Sequence, residues 1–168
     1  MDERHENEQY FFDVPTLERL TAFLAAWHHP CCVCCPLLGA RLEADGVGVA
    51  ILDIDERFEY LKGFQKYDVR RPHWIDKKFD IIMCDPPFYN VPLRQFFIAV
   101  RMLSHHDFSQ PLLVAYLKRR QETFLRTFSE FNLKPMGFSP TYESVQHCPK
   151  NDIELYGNIA PKTLSPWE

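Results

Sequence analysis

The chain has 168 residues, of which 46% are hydrophobic and 14% aromatic, enough to build the core of one domain over residues 1–168. Its 19 basic and 23 acidic side chains give a formal net charge of −4, which excludes a protein that holds nucleic acid through a broadly basic surface but allows a local basic patch. A polar, charged start and the lack of an apolar run of membrane-spanning length predict a cytoplasmic or nuclear protein, with residues 1–9 flexible.

The apolar residues recur with two periods, one typical of helices and the other of strands. Helical spacing predicts five helices, over residues 14–27, 37–44, 56–61, 91–103 and 119–131. Short apolar runs predict seven strands, over residues 31–35, 47–54, 64–69, 79–84, 111–116, 134–142 and 152–158. Strands and helices alternate until the last two strands, so we expect an α/β protein whose mostly parallel sheet ends in an antiparallel edge.

Four of the six cysteines, Cys31, Cys32, Cys34 and Cys35, lie within the first predicted strand. Neighbouring side chains on a strand point to opposite faces, so these four cannot close a tetrahedral zinc site. We therefore interpret them as small apolar residues of a buried strand, and we expect no metal site.

Two predicted strands end in an aspartate that is a candidate ligand of a nucleotide cofactor. Asp53 ends the second strand, where an acid commonly accepts hydrogen bonds from ribose hydroxyls, and Ile54 offers an apolar surface for an adenine ring. Asp68 closes the third strand and could accept a hydrogen bond from an adenine amino group. Strand-end aspartates without a ligand are the alternative interpretation of both positions.

Weaker signals come from the starts of the first two predicted helices. Thr16 could bind a carboxylate together with free helix amides, although helix capping with a hydrophobic staple explains the same pattern and is favoured. Cys35 and Pro36 follow the first strand, where a cofactor loop usually contains glycines that allow a close approach of the backbone. This segment has only Gly39, so the assignment of Cys35 and Pro36 as cofactor ligands depends on their position alone.

The most informative motif is Asp85-Pro86-Pro87-Phe88, which directly follows the fourth predicted strand. In open α/β sheets this carboxyl edge is where ligands bind, and the two prolines end the strand ladder and stiffen the turn. The Asp85 carboxylate and the backbone carbonyl before Pro86 can both accept hydrogen bonds from one amino group, while Phe88 can lie against a flat ring. A strand that simply ends in a proline turn is the alternative.

This motif resembles the [DNS]-P-P-[YFW] signature of amino-methyltransferases. Three other segments accompany it: Y-F-F-D at 10–13, L-D-I-D-E-R-F at 52–58 and N-D-I-E-L-Y-G-N at 151–158. Together they resemble the probable N6-adenine methyltransferase family, and the resemblance extends from Tyr10 to Asn158, nearly the whole chain.

The resemblance implies a fold, a cofactor and a set of site residues. The fold is the seven-stranded, Rossmann-like sheet of class I methyltransferases, and the cofactor is S-adenosylmethionine. Asp53 would bind the ribose of the cofactor. The acceptor amine would be held by a catalytic loop that consists of Asp85, Pro86, Pro87 and Phe88. Asp85 would also contact the cofactor.

The family contains a branch with CCHC zinc fingers that methylates adenine in large-subunit ribosomal RNA, and a branch that methylates a lysine of elongation factor 1A. The chain resembles the RNA branch most, and Phe88 suits base stacking, so N6-adenine methylation of RNA or DNA is the first interpretation. Protein lysine methylation, which suits the net charge of −4, and an inactive methyltransferase-like binding subunit are the alternatives. Because the zinc fingers are missing from this sequence, we expect a partner protein or a further domain to dock the substrate.

Overall fold

The centre of the molecule is one seven-stranded sheet, seen in a computed structural model that describes residues 1–146 and 148–159. Its strands are β1 (Pro30–Val33), β2 (Ala50–Asp53), β3 (Phe64–Lys66), β4 (Ile81–Cys84), β5 (Leu112–Leu117), β6 (Lys134–Pro135) and β7 (Ile153–Gly157). They lie in the order β3-β2-β1-β4-β5-β7-β6. The first five pair in parallel and β7 runs antiparallel to both β5 and β6, which confirms the predicted sheet with its antiparallel edge.

The helices that cover the sheet are α1 (Val14–Leu24), α2 (Pro36–Ala44), α3 (Leu93–Leu103) and α4 (Gln121–Thr127). The helix predicted over residues 119–131 consists of α4 between two 3-10 turns and ends at Asn132, whose φ of 60° is left-handed. Within the part of the chain that the structure describes, no helix has the length and apolar character needed to cross a membrane.

The helix predicted over residues 56–61 is instead a single 3-10 turn, Glu56–Phe58, capped by the side chain of Asp55. The chain must return at once to pair β3 with β2. At Gly63 it passes so close to β2 that a β-carbon would lie 1.8 Å from the carbonyl oxygen of Val49. Glycine permits this approach, and the short connection leaves no room for a longer helix.

The strand predicted over residues 134–142 contains only the two residues of β6. Pro135 has no N–H to donate, and Gly137 adopts a φ of 75°, a left-handed conformation that breaks the extended strand. The following segment returns to the N-terminal residues, where Tyr142 forms an isolated antiparallel bridge with Phe12. This change of direction brings Tyr142 to the carboxyl edge of the central strands.

Both faces of the central strands are covered, and every residue of β1, β4 and β5 is buried. Such strands are apolar throughout, without the alternation of a half-exposed sheet. Cys31, Cys32 and Cys35 are free and buried, as expected for small apolar residues. Phe124 of α4 stacks on Tyr116 of β5 at a ring distance of 4.9 Å. Burying one such ring stabilises the fold by about 1.5–3 kcal/mol.

The carboxyl ends of β1, β2, β3 and β4 meet at one edge of the sheet, because these strands are parallel. The winding of the sheet reverses between β1 and β4, and ligands of open α/β sheets bind at this kind of switch point. The backbone N–H of Asp85 donates to the carbonyl of Val33 at 3.0 Å. The first residue of the Asp85–Phe88 loop is therefore held beside the end of β1.

Candidate active site

A cavity of about 410 Å³ opens at this edge of the sheet, within the size range of small-molecule sites. Its lining includes residues from the ends of four strands and from the segment that returns after β6. Among the lining residues are Cys34, Asp53, Ile54, Tyr67, Asp68, Asp85, Pro86, Pro87, Phe88 and Tyr142. All four residues of the predicted catalytic loop therefore face the same space as Asp53, Ile54 and Asp68.

Asp53 presents a buried carboxyl group at the end of β2. Its Oδ1 accepts the backbone N–H of Asp55 at 2.8 Å, which fixes the orientation of the group. Burial, with a further contribution from the nearby Asp55 carboxylate, raises the pKa of Asp53 to about 6. The group is ionised at neutral pH and can accept hydrogen bonds from ligand hydroxyls.

Asp55 has a structural role beside it. Its carboxylate is buried and pairs with Arg57 at 2.7 Å, and it also accepts a hydrogen bond from Gln9 at 2.9 Å. Although burial opposes the shift, these hydrogen bonds lower the pKa of Asp55 to about 2. The group therefore stays charged and pins the N-terminal segment to the turn after β2.

The third strand contributes Tyr67 and Asp68 to the cavity. The Asp68 carboxylate accepts hydrogen bonds from the backbone N–H of Arg70 at 2.9 Å and from its Nε at 3.2 Å. Tyr67 is 2% exposed, and its hydroxyl has no hydrogen-bond partner among the residues that the structure describes. A buried hydroxyl without a partner is costly, so a polar ligand atom in the cavity would satisfy it.

Three predicted cofactor ligands do not line the cavity. Thr16 uses its N–H to cap α1 through Asp13 at 3.0 Å, and its hydroxyl accepts the N–H of Thr141 at 3.0 Å. Cys35 and Pro36 are the N-cap and the first residue of α2, and the Cys35 thiol is directed at a backbone carbonyl in β4, 3.7 Å away. These three residues form helix N-termini and pack against neighbouring elements, and they lie outside the cavity.

Cys34 lines the cavity in their place. It adopts a φ of 61°, the left-handed conformation that usually requires glycine, in the turn that directly follows β1. The sequence showed the missing glycine here but not that a cysteine takes up its conformation. Burial, together with the carboxylates of Asp53 and Asp85, raises the pKa of the Cys34 thiol, which keeps it neutral.

Asp85 occupies the floor of the cavity next to Tyr142, whose hydroxyl donates a hydrogen bond to Oδ1 of Asp85 at 2.7 Å. Burial raises the pKa of the Asp85 carboxyl to about 8; the Tyr142 hydrogen bond opposes this shift and the Asp53 carboxylate adds to it. Asp85 is therefore mostly protonated at pH 7 and becomes half-ionised near pH 8. Sequence reasoning missed Tyr142 because it assigned this residue to the end of a strand.

Phe88 closes the cavity on the side of β5. Its ring meets Tyr116 edge to face, with a centroid distance of 5.4 Å and an interplanar angle of 88°. Arg120 donates to the carbonyl of Phe88 at 3.2 Å and to the hydroxyl of Tyr116 at 2.8 Å. The ring is therefore held by contacts on one edge and by its own backbone.

The N-terminal segment, expected to be flexible, contacts the catalytic loop. Glu3 accepts the N–H of Phe11 at 2.8 Å, and the Glu8 carboxylate accepts backbone N–H groups of residues 88–90. The sequence offers no local signal for the Glu8 contacts, since they join residues at least 80 positions apart. In residues 1–146 and 148–159, no three His, Cys, Asp or Glu side chains are arranged to hold a metal ion.

The lining fits S-adenosylmethionine, the cofactor that the sequence resemblance implies. Asp53 offers a buried carboxylate for ribose hydroxyls, Ile54 an apolar face and Tyr67 an unsatisfied hydroxyl. The carboxyl groups of Asp53, Asp68 and Asp85 also suit a molecule that carries positive charge on its sulfonium and amino groups.

A family model described as probable N6-adenine methyltransferase matches residues 3–161 of the chain. None of the curated proteins matches the chain significantly. Among solved structures, a candidate RNA methyltransferase from Pyrococcus horikoshii superposes with a TM-score of 0.61 at 15% identity, covering 93% of this chain and 88% of that one. Magnesium protoporphyrin IX methyltransferase from Synechocystis, crystallised with bound S-adenosylmethionine, gives a TM-score of 0.58 at 13% identity, with 86% and 79% covered.

The ribosomal protein L11 methylase of Lactobacillus delbrueckii subsp. bulgaricus is a third neighbour, with a TM-score of 0.54, 13% identity and 90% and 81% of the two chains covered. Identities this low establish a shared class I methyltransferase fold and nothing finer. The family match, by contrast, spans most of the sequence. The chain therefore belongs to the probable N6-adenine methyltransferase family and is an S-adenosylmethionine-dependent methyltransferase.

Proposed function

We propose that the protein transfers a methyl group from S-adenosylmethionine to the N6 amino group of an adenine in RNA or DNA. The observation that carries the proposal is the shared cavity of Asp53 and the Asp85–Phe88 loop. One end of this cavity suits a nucleoside cofactor and the other a flat ring with an amino group. The family match supports the same chemistry.

On the cofactor side, Asp53 accepts hydrogen bonds from the ribose hydroxyls and Ile54 packs against the adenine ring. Asp68 accepts from the adenine amino group, and Asp85 lies where the cofactor and the acceptor meet. When bound, the cofactor supplies a methyl group on a positively charged sulfur, a leaving group that requires no activation by a metal. The contribution of the protein is therefore to bind and align.

On the acceptor side, Asp85 and the backbone carbonyl before Pro86 accept the two hydrogens of the amino group. This directs the nitrogen lone pair at the cofactor, and Pro86 and Pro87 keep the carbonyl from turning away. As the new N–C bond forms, the nitrogen releases a proton. Asp85 takes that proton in its ionised form, and its pKa of about 8 means that this form becomes abundant as the pH rises toward 8.

Phe88 provides a flat surface on which the acceptor ring can stack. Because the Asp85–Phe88 loop lies at the end of a central strand, the acceptor base must enter the cavity to reach it. The amino group has to reach the end of a central strand, so the base must leave its stack. A single strand or a loop meets this requirement at a lower cost than a duplex. The proposed acceptor is therefore an unpaired adenine.

A protein lysine is the second candidate acceptor. The acidic lining of Asp53, Asp68 and Asp85 favours an ammonium group, as does the net charge of −4. The neighbours by fold include both a candidate RNA methyltransferase and a ribosomal protein methylase, so fold similarity does not separate the two candidates. The flat ring of Phe88 and the description of the matched family favour adenine.

Labelling of a cell lysate tests the proposal directly. The protein is incubated with S-adenosylmethionine that carries a labelled methyl group, and the lysate is then divided between nuclease and protease treatments. We expect the label to be lost with nuclease and to be recovered as N6-methyladenine after digestion. The Asp85→Ala variant is the matched control for background labelling. Label that survives nuclease and disappears with protease would replace adenine by lysine as the acceptor.

A further inference from the structure

The backbone after the proline pair forms a concave anion site. The N–H groups of Phe88, Tyr89 and Asn90 donate to the carboxylate of Glu8 at 2.9, 3.1 and 2.5 Å. Three successive amides directed at one point form a nest, which binds carboxylates and phosphates in the same way. The anion comes from a segment 80 positions earlier in the chain, so the loop does not satisfy its own amides.

Glu8 fills this nest with its own backbone in an unfavourable conformation. Its φ of 51° lies in the left-handed region, which is unfavourable for a residue with a β-carbon. The segment that carries it contains one 3-10 turn, His5–Asn7, and no strand or α-helix holds it from residue 1 to the start of α1. Glu8 therefore reaches the nest through side-chain contacts and an unfavourable backbone conformation, which a competing anion could release.

Two arginines place positive charge beside the nest. Arg119 donates to the Tyr89 hydroxyl at 2.6 Å, and its guanidinium lies 5.9 Å from the centre of that ring. Arg120 donates to the carbonyl of Phe88 at 3.2 Å. In the described ranges 1–146 and 148–159, neither guanidinium forms an ion pair with an acidic side chain within 4.0 Å. Both charges can therefore attract a second anion.

We propose that this nest binds a phosphodiester group of the nucleic acid strand next to the target adenine, and that Glu8 fills the nest while no strand is bound. The proposal rests on the proposed adenine methyltransferase function. Phe88 contributes both the ring for the acceptor base and the first amide of the nest. A nucleotide whose base lies against that ring therefore has its sugar-phosphate backbone close to the amides, in RNA and DNA alike.

The first measurement is the affinity of the full chain for fluorescent single-stranded RNA and DNA that contain one adenine, determined by anisotropy. Glu8→Ala should bind about three to ten times more tightly than wild type, because the competing carboxylate no longer reduces the fraction of open nests. Glu6→Ala is the matched control, since Glu6 is an exposed acid of the same segment that accepts no hydrogen bond from the loop within the described part of the chain. Its effect should stay below about twofold, the consequence of one lost charge.

The second measurement identifies the phosphate. In a strand whose two linkages next to the adenine are uncharged methylphosphonates, the gain of Glu8→Ala should disappear. Thermal unfolding and cofactor affinity, followed in parallel, show whether the variant is folded, and Glu8→Gln should give the same direction with a smaller gain. Weaker binding by both Glu8 variants, or an equal gain with the uncharged linkages, would overturn the assignment.

The outcomes separate this proposal from the proposed function. If wild type methylates a nucleic acid but Glu8→Ala shows no gain, the nest assignment is wrong and the function stands. If wild type labels only protein, the proposed adenine methyltransferase function is wrong, and the nest proposal that rests on it is rejected with it. A gain of Glu8→Ala for an acidic lysine-containing peptide, without one for either oligonucleotide, would assign the nest to a protein carboxylate instead.

Discussion

The hydroxyl group of Tyr142 donates a hydrogen bond to Oδ1 of Asp85 at 2.7 Å, across 57 positions of the chain. The ring of Tyr142 stacks on buried Phe12 at a centroid distance of 5.1 Å, so the donor has little freedom to move. The bond fixes the rotation of the Asp85 carboxyl before any substrate arrives. Preorganisation of this kind is what a positioning residue contributes to group transfer.

Tyr142→Phe tests this relationship, because it retains the ring stack and removes only the hydroxyl. The pKa of Asp85 is about 8, and the Tyr142 hydrogen bond holds it below the value that burial alone would give. Without the bond the pKa rises, so the pH at which transfer becomes half-maximal should move upward. The measurement is kcat/KM between about pH 6 and 10 for both proteins. A profile that only loses height, without moving along the pH axis, would show that Tyr142 acts on something other than the ionisation of Asp85.

Asp85 also links stability to pH. Its pKa is raised from 3.8 to about 8, so in this window the native carboxyl keeps a proton that the unfolded chain has lost. The free energy of unfolding contributed by this group therefore falls as the pH rises from about 4 to about 8. Asp85→Asn removes the titration, so the variant should lose less stability than wild type between pH 5 and pH 8 in urea unfolding. The control is Asp76→Asn at an exposed position, which should retain the wild-type slope.

Asp85→Ala should separate transfer from cofactor binding. The acceptor amine loses its hydrogen-bond acceptor and its proton acceptor, so turnover should fall by at least about 100-fold. Cofactor affinity should fall by no more than about fivefold, the effect of one ordinary hydrogen bond. Single-turnover kinetics and calorimetry measure the two quantities. Equal losses in both would place Asp85 in cofactor binding alone.

Asp53→Ala should show the opposite pattern. The buried carboxylate at the end of β2 is the proposed ribose ligand, and loss of a charge-assisted hydrogen bond costs about 1.5–3 kcal/mol. Cofactor affinity should therefore fall by about 10- to 150-fold, while the protein without cofactor still folds, at a melting temperature lowered by the lost hydrogen bond from the N–H of Asp55. Asp76→Ala is the matched control, an exposed aspartate that does not line the cavity. Unchanged calorimetric affinity in Asp53→Ala would remove Asp53 from the cofactor site.

Much of this arrangement could be predicted from the sequence, because it depends on local patterns. The runs that became β1, β2 and β4 are apolar at nearly every position, since both faces of the sheet are covered. An acid that directly follows such a run is carried to the carboxyl edge by the strand itself. This is why Asp53 and Asp85 were found together from their positions alone.

The contacts that could not be predicted from the sequence are those between segments far apart in the chain. Glu8 and Tyr142 reach the loop through turns whose directions depend on single backbone conformations, such as the left-handed φ of Gly137. The site of Cys34 depends on a non-glycine residue in a conformation that sequence patterns assign to glycine. These backbone conformations leave no periodic pattern in the sequence, because each is stabilised by tertiary contacts.

The acceptor itself is tested by the ring of Phe88. If the acceptor is an unpaired adenine, stacking on this ring contributes roughly 1–3 kcal/mol. Phe88→Ala should therefore lose most of the activity, whereas Phe88→Tyr and Phe88→Trp should retain much of it because they keep a flat aromatic face. The edge-to-face contact with Tyr116 is lost only in the alanine variant, so unfolding temperatures are needed to exclude a general loss of structure.

Wild type and the Phe88 variants should also be compared on single-stranded and duplex nucleic acid targets. A target adenine in a single strand or a loop should be methylated faster than the same adenine in a duplex. The unpaired base does not have to break a base pair before it reaches the end of β4. A lysine acceptor needs a narrow apolar channel, of which Phe88 would be only one wall, and pairing of a nucleic acid would then be irrelevant. Equal rates on single-stranded and duplex targets, with Phe88→Ala active on both, would contradict a stacked adenine at this site.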